Sequence, residues 1–166
     1  MIGRAYTTEM ARYNAWQNGV VYGLCEDLGE AERTRDRGLF FASLHRTLDH
    51  IALVDTYILD LLETGSADRF DPKATLHATW PALRTARTAL DGRIAGLARH
   101  DDAWFAEVLE FMSTTLGRVR RIPRSLYVMQ MFNHQTHHRS QVTAALWSMG
   151  LDYGTTDLPF RPDSPY

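Results

Sequence analysis

Phe132-Asn133-His134-Gln135-Thr136-His137-His138-Arg139-Ser140-Gln141 is the stretch that decides how this chain is read. It sits inside a helical pattern that follows Pro123 and runs to about Met149, where Gly150 supplies a stop signal. Each residue of a helix advances about 100° around the axis. With His134 placed at zero, His138 lies about 40° away and Gln141 about −20°. Tyr127, Met131, Val142, Ala145 and Met149 share that sector. His134 and His138 therefore belong to the apolar face and point inward, with His137 on its edge.

Three more helical patterns precede this one. The first runs from about Thr7 to Leu28, with Met10, Tyr13, Trp16, Val20, Val21, Leu24 and Leu28 on one face and Gly29 as a stop. The second spans about Ser43 to Thr64, with Ser43 as N-cap, Gly65 as C-terminal stop, and Ile51, Val54, Ile58, Leu61 and Leu62 on its apolar face. A polar loop, Gly65 to Leu76, leads to a third helix from about Trp80 to Arg99, capped by Thr79 and carrying Pro81 in its first turn. The segment Trp104 to Arg121 reads as a short hairpin or irregular chain, the hairpin being preferred. Its strands would come from Val108-Leu109-Glu110-Phe111-Met112 and Thr115-Leu116-Gly117-Arg118-Val119. The tail from Leu151 to Tyr166 holds three prolines and is expected to cross the helices without regular structure. The expectation is an all-α fold, a four-helix bundle with a short hairpin between helices three and four, forming one domain over residues 1–166.

Composition narrows the function classes. The 166 residues include 18 basic and 20 acidic side chains, for a formal charge of −2, and are 45% hydrophobic. That is a globular composition, and the charge balance argues against a nucleic-acid binder. Cys25 is the single cysteine, which rules out an internal disulfide and a cysteine-based zinc site. It falls about 120° from Tyr13 on the first helix, so it reads as a packed small residue rather than a nucleophile. No window of about 18 apolar residues exists, and Met1 to Tyr6 lacks a hydrophobic signal core. No membrane association is expected, and a cytoplasmic location is the default.

The second helix adds a third inward imidazole. With His50 at zero, Val54, Tyr57, Ile58 and Leu61 fall within about 80°, whereas His45 lies about 140° away and should face solvent or a neighbour. Burying an unpaired polar group costs about 1–3 kcal/mol. A metal ion satisfies three imidazoles at once, and three histidine ligands leave coordination positions open. An i, i+4 histidine pair alone is a weak signal; His50 on a facing helix strengthens it. Gln135 stands where an H-E-x-x-H protease carries its glutamate, so that chemistry is excluded. No P-C-x-x-C follows as in a deaminase, and no E-x-x-H pair marks a di-iron site.

The stretch from Phe132 to Gln141 resembles the N-H-x-x-H-H-R-G-Q signature of the DinB/YfiT superfamily. Ala11-Arg12-Tyr13-Asn14-Ala15-Trp16-Gln17-Asn18 is similar to its Y-N-x-W-x-N opening, and Ser43-Leu44-His45-Arg46-Thr47-Leu48-Asp49-His50-Ile51 to its S-x-x-x-T-L-x-H-I segment. Gly150 to Leu158, with Thr156-Asp157-Leu158, looks like its closing tail. Ser140 stands where glycine is usual and Asp49 where asparagine is common. The resemblance implies a four-helix bundle, commonly a homodimer, that binds a divalent ion such as zinc, nickel or iron through His50, His134 and His138. It implies a small-molecule substrate, with low-molecular-weight thiols used by some relatives and hydrolysis suggested for others.

The resulting expectation is a metal-dependent enzyme that activates water or a thiol, of transferase or hydrolase type. Its rivals are a metal-binding stress-response protein without turnover and a helical interaction module whose histidines are merely packed. Tyr13, Trp16, Tyr57 and Tyr127 are candidates to line the pocket, against their reading as core aromatics. Gln141 is a candidate to orient a ligand. Asp49 and Asp60 fall about 100° and 80° from His50, so no carboxylate sits clearly in the site, and a supporting role behind a ligand is left open for either. Arg46 and Arg139 read as surface salt-bridge or dimer-contact residues, the salt bridge preferred.

Overall fold

The computed structural model describes residues 2–66, 71–113 and 116–164. Parts of three sequence readings lie outside those residues: positions 67–70 of the polar loop, Thr115 of the hairpin, and 165–166 of the tail. The chain is mostly helical with one small sheet. Its order is α1 (Arg4–Asp27), α2 (Gly29–Thr34), α3 (Leu44–Thr64), α4 (Trp80–Gly96), α5 (Asp102–Ala106), β1 (Val108–Ser113), β2 (Arg118–Pro123) and α6 (Arg124–Ser148).

The four long helices match the four sequence patterns, and their ends show which signals act locally. Ser43 caps α3 by accepting a bond from the Arg46 N–H, and Gly65 closes it at φ 76°, donating its N–H to the Leu61 carbonyl. Thr79 caps α4 with Pro81 in the first turn, and the helix tightens into a 3₁₀ turn at Leu97–Arg99. By contrast, α1 begins at Arg4, three residues before the expected Thr7. Its cap comes from far along the chain: the Arg4 N–H donates to Asp102 Oδ1 at 2.8 Å. Gly29 ends α1 with φ 71°, but the chain resumes helix at once as α2, which the sequence pattern did not show.

The hairpin is present, antiparallel, with Leu109 opposite Ile122 and Phe111 opposite Arg120. Its second strand is Arg118–Pro123 rather than the expected Thr115–Val119, because Leu116 and Gly117, the latter at φ 61°, form the turn. Leu109, Phe111 and Ser113 alternate inward while Val108, Glu110 and Met112 face solvent. The tail crosses α1, where Tyr13 Oη donates to the Thr156 carbonyl at 2.8 Å and Gln17 Nε2 to the Thr155 carbonyl at 3.1 Å. It includes a short 3₁₀ turn, Leu158–Phe160, so it is not wholly irregular as expected.

Helix α3 packs on α6 and α4, and α1 packs on α4 and α6. Leu44, Leu48, Leu59, Leu61, Leu83, Ile94, Phe105, Met131, Phe132 and Leu146 fill the space between them. Through this apolar core runs a buried ionic lattice that touches all four long helices. Arg87 of α4 donates to Asp55 of α3 at 2.6 Å and pairs with Asp91 at 3.0 Å. Asn18 of α1 donates to Asp91 at 2.9 Å, and Gln135 of α6 to Asp55 at 2.7 Å. Arg139 of α6 donates to Asn14 and, at 3.3 Å, to Asn18. Arg139 is 4% exposed, so its reading as a surface or dimer-contact residue is corrected. An arginine can lie this deep only because acceptors from α1 meet its donors.

Removing one member strands its partner's charge in the core. Asp55→Ala is expected to lower unfolding free energy by about 3–5 kcal/mol, measured by urea titration. The double replacement Asp55→Leu with Arg87→Met should lie clearly closer to wild type than either single change, because it removes both charges.

Candidate metal centre

The three predicted histidines meet on the seam between α3 and α6. His50 projects from α3; His134 and His138 project side by side from α6, one turn apart. One ring nitrogen from each lies within 4.8 Å of the others. His50 Nε2 and His134 Nε2 are 3.1 Å apart. His50 and His138 are each 7% exposed.

Two of the rings have their outer nitrogen assigned. The His50 Nδ1–H donates to the Pro72 carbonyl at 3.0 Å. The His138 Nδ1–H donates to Gln141 Oε1 at 3.0 Å, so Gln141 orients a histidine as expected of it. Each bond leaves Nε2 as an unprotonated lone pair on a neutral ring. His134 Nδ1 is buried without a partner.

Burial, reinforced by the neighbouring imidazoles, holds His50 down to about 4 and His134 down to about 3. Burial also lowers His138. At neutral pH the cluster is therefore three uncharged imidazoles. Lone pairs facing one another at 3.1 Å repel unless a proton or a cation lies between them. Nitrogens each about 2.0–2.1 Å from a tetrahedral ion would stand about 3.3 Å apart, close to the 3.1 Å between His50 and His134 Nε2. The donor set fits a divalent transition metal.

The other candidates disperse. Asp49 is fully buried but turns to the segment before α4, accepting from the Leu76 and His77 N–H groups. Asp60 pairs with Arg93 at the surface. His45 is buried and meets a neighbour, the His77 carbonyl, at 2.8 Å. Arg46 is partly exposed and lies 3.6 Å from Asp49. Burial pushes the Cys25 thiol up to about 12, in keeping with a packed, inert residue. Ser140 is exposed and donates to the His137 carbonyl, away from the cluster.

Of the four aromatic candidates, Tyr13 and Trp16 pack edge-to-face on each other, and Tyr13 lies beside Gln17, Arg139 and Thr156. Tyr127 lines a groove of about 670 Å³ between α1, β2 and α6, together with Tyr6, Met10 and Phe132. The aromatic ring that covers the cluster is one the sequence reading missed. Phe41 stacks on His50 with centroids 3.9 Å apart and stands 5.5 Å from His138. It lies in an irregular stretch next to Ala42, whose φ of 64° is unusual for a residue with a Cβ. No helical period marks such a position.

The DinB family model matches residues 1–165 of the chain. No curated protein matches it.

The depressed pKa values make a stability statement. A histidine that titrates at about 6.5 when unfolded but only near 4 or 3 when folded binds protons preferentially in the unfolded state between those values. The metal-free protein is thus expected to lose thermal stability as pH falls from about 6.5 toward 4. The wild-type melting temperature should fall more steeply over that window than that of a His50→Phe, His134→Leu variant.

Proposed function

The chain belongs to the DinB family, and on that premise we propose that it is a divalent-metal-dependent enzyme whose ion is held by His50, His134 and His138. The observation that carries this reading is the convergence of three neutral imidazole nitrogens within 4.8 Å on two facing helices. In the same reading the four long helices form a four-helix bundle of the DinB type, and residues 1–166 one domain. A divalent ion bound there supplies Lewis-acid activation of a water or a low-molecular-weight thiol, drawing its pKa toward neutrality.

The chain's own residues set the conditions for that chemistry. Three neutral ligands leave the positive charge of an ion uncompensated, which favours an anionic fourth partner such as a thiolate or hydroxide. Gln141 and the Pro72 carbonyl hold the His138 and His50 rings in the tautomer that leaves Nε2 free to bind. Phe41 covers one face of His50 and lowers the local polarity. The reaction class that follows is transfer of a thiol to an electrophile, or hydrolysis. Zinc, nickel and iron all suit an all-imidazole set.

The test is elemental analysis of protein purified without an affinity tag, followed by a screen of thiol transfer to several electrophiles and of ester hydrolysis. One equivalent of a transition metal is expected. His134→Ala should weaken zinc binding at least about tenfold in a chelator competition while helical circular dichroism is retained. Turnover should vanish with a chelator and return with metal. Metal content unchanged in His134→Ala would sink the site assignment, and metal without turnover of any substrate would reduce the protein to a metal binder.

A further inference from the structure

Segment 71–77 lies against α3 beside the histidine cluster, and none of its residues is buried. It has no helix or strand of its own, and Leu76 is 45% exposed. Apolar packing therefore does not hold it. Polar contacts from one side of α3 do. Asp49, 1% exposed in its side chain, accepts from the Leu76 N–H at 2.9 Å, the His77 N–H at 2.8 Å and His77 Nδ1–H at 3.0 Å. Arg46 donates to Thr75 and, at 2.9 Å, to the Lys73 carbonyl. His45 donates to the His77 carbonyl. The same segment supplies the Pro72 carbonyl that takes the His50 Nδ1–H.

The geometry points to Asp49 as the positioning residue of the histidine cluster. It clasps segment 71–77 to α3, and the clasped segment locks His50 as the Nδ1–H tautomer with Nε2 facing His134 and His138. A carboxylate suits this role because it accepts all three N–H groups, whereas an asparagine amide would set its own NH₂ against one of them. Asp49 needs no contact with an ion. Its consequence for metal affinity rests on the metal reading above; the tautomer lock itself does not.

The experiment follows two readouts in Asp49→Ala, Asp49→Asn and Asp60→Asn. The first is the His50 tautomer in the metal-free protein, from imidazole nitrogen chemical shifts. The second is zinc affinity by chelator competition. Wild type and Asp60→Asn should show His50 as Nδ1–H with equal zinc affinity. Asp49→Ala should show mixed tautomers and bind zinc about 10–100-fold more weakly, with Asp49→Asn between. Should Asp49→Ala fail to fold, Asp49→Asn and Arg46→Met decide by the same readouts. A His50 ring still fixed as Nδ1–H in the folded variants, or unchanged zinc affinity beside mixed tautomers, would overturn the inference. A wild type that takes up no zinc yet shows the tautomer shift on mutation would sink the metal reading and leave the clasp standing.

Discussion

The ionic lattice centred on Asp55 and Arg87 is the constraint on which the rest of the molecule depends. Apolar side chains can slide past one another at small cost, so a helix core filled only with leucine and isoleucine specifies register weakly. A buried guanidinium cannot slide: leaving its acceptors strands a charge in the interior. Arg87 meets Asp55 and Asp91, and Arg139 meets Asn14 and Asn18. Each of the four long helices contributes at least one member, so their mutual heights are fixed together. On α6 the lattice residues Gln135 and Arg139 each follow a cluster histidine by one position. One side of the helix is anchored to α1 and α3 while the side about 100° away presents His134 and His138. Positioning the histidines is thus a by-product of satisfying buried charge.

What the sequence revealed and what it hid divide along the range of the interactions. Period and local caps are short-range, and they exposed the four long helices, the Ser43 and Thr79 caps, the Gly65 stop and the inward direction of His50, His134 and His138. Most of the hidden features depend on distant partners. The start of α1 at Arg4 relies on an acceptor at Asp102. Arg139 read as a surface residue because its acceptors lie on the first helix, more than a hundred positions away. Asp55 and Gln135 carried no local mark, since a polar residue on a mixed face looks the same whether paired in a core or solvated. Phe41 escaped for a different reason: it sits in irregular chain beside a positive-φ alanine, where no periodicity applies.

The cluster and the lattice solve the same problem of interior polarity in opposite ways. In the lattice, Arg87 answers Asp55 and Asp91, and Arg139 is met by the amide oxygens of Asn14 and Asn18. In the histidine cluster nothing acidic answers the rings. Burial instead keeps them neutral, with His50 Nε2 and His134 Nε2 3.1 Å apart. Keeping three imidazoles neutral in the interior costs stability below about pH 6.5, where the unfolded chain binds protons that the folded one does not.

The two halves of the cluster differ in how firmly they are held. His134 and His138 share a helix pinned by buried charge pairs, and His138 is further fixed by Gln141 within the same turn. His50 lies on an equally rigid helix, but its ring is oriented by a carbonyl from an exposed segment that is itself held by polar bonds. Asp49 and His45 are buried, but the segment itself is not, so water competes for the donors and acceptors it supplies. The softer half of the centre is therefore the His50 side. On the proposed metal reading, loss of an ion would begin there, where one carboxylate and a short run of unburied chain set the angle of a single imidazole.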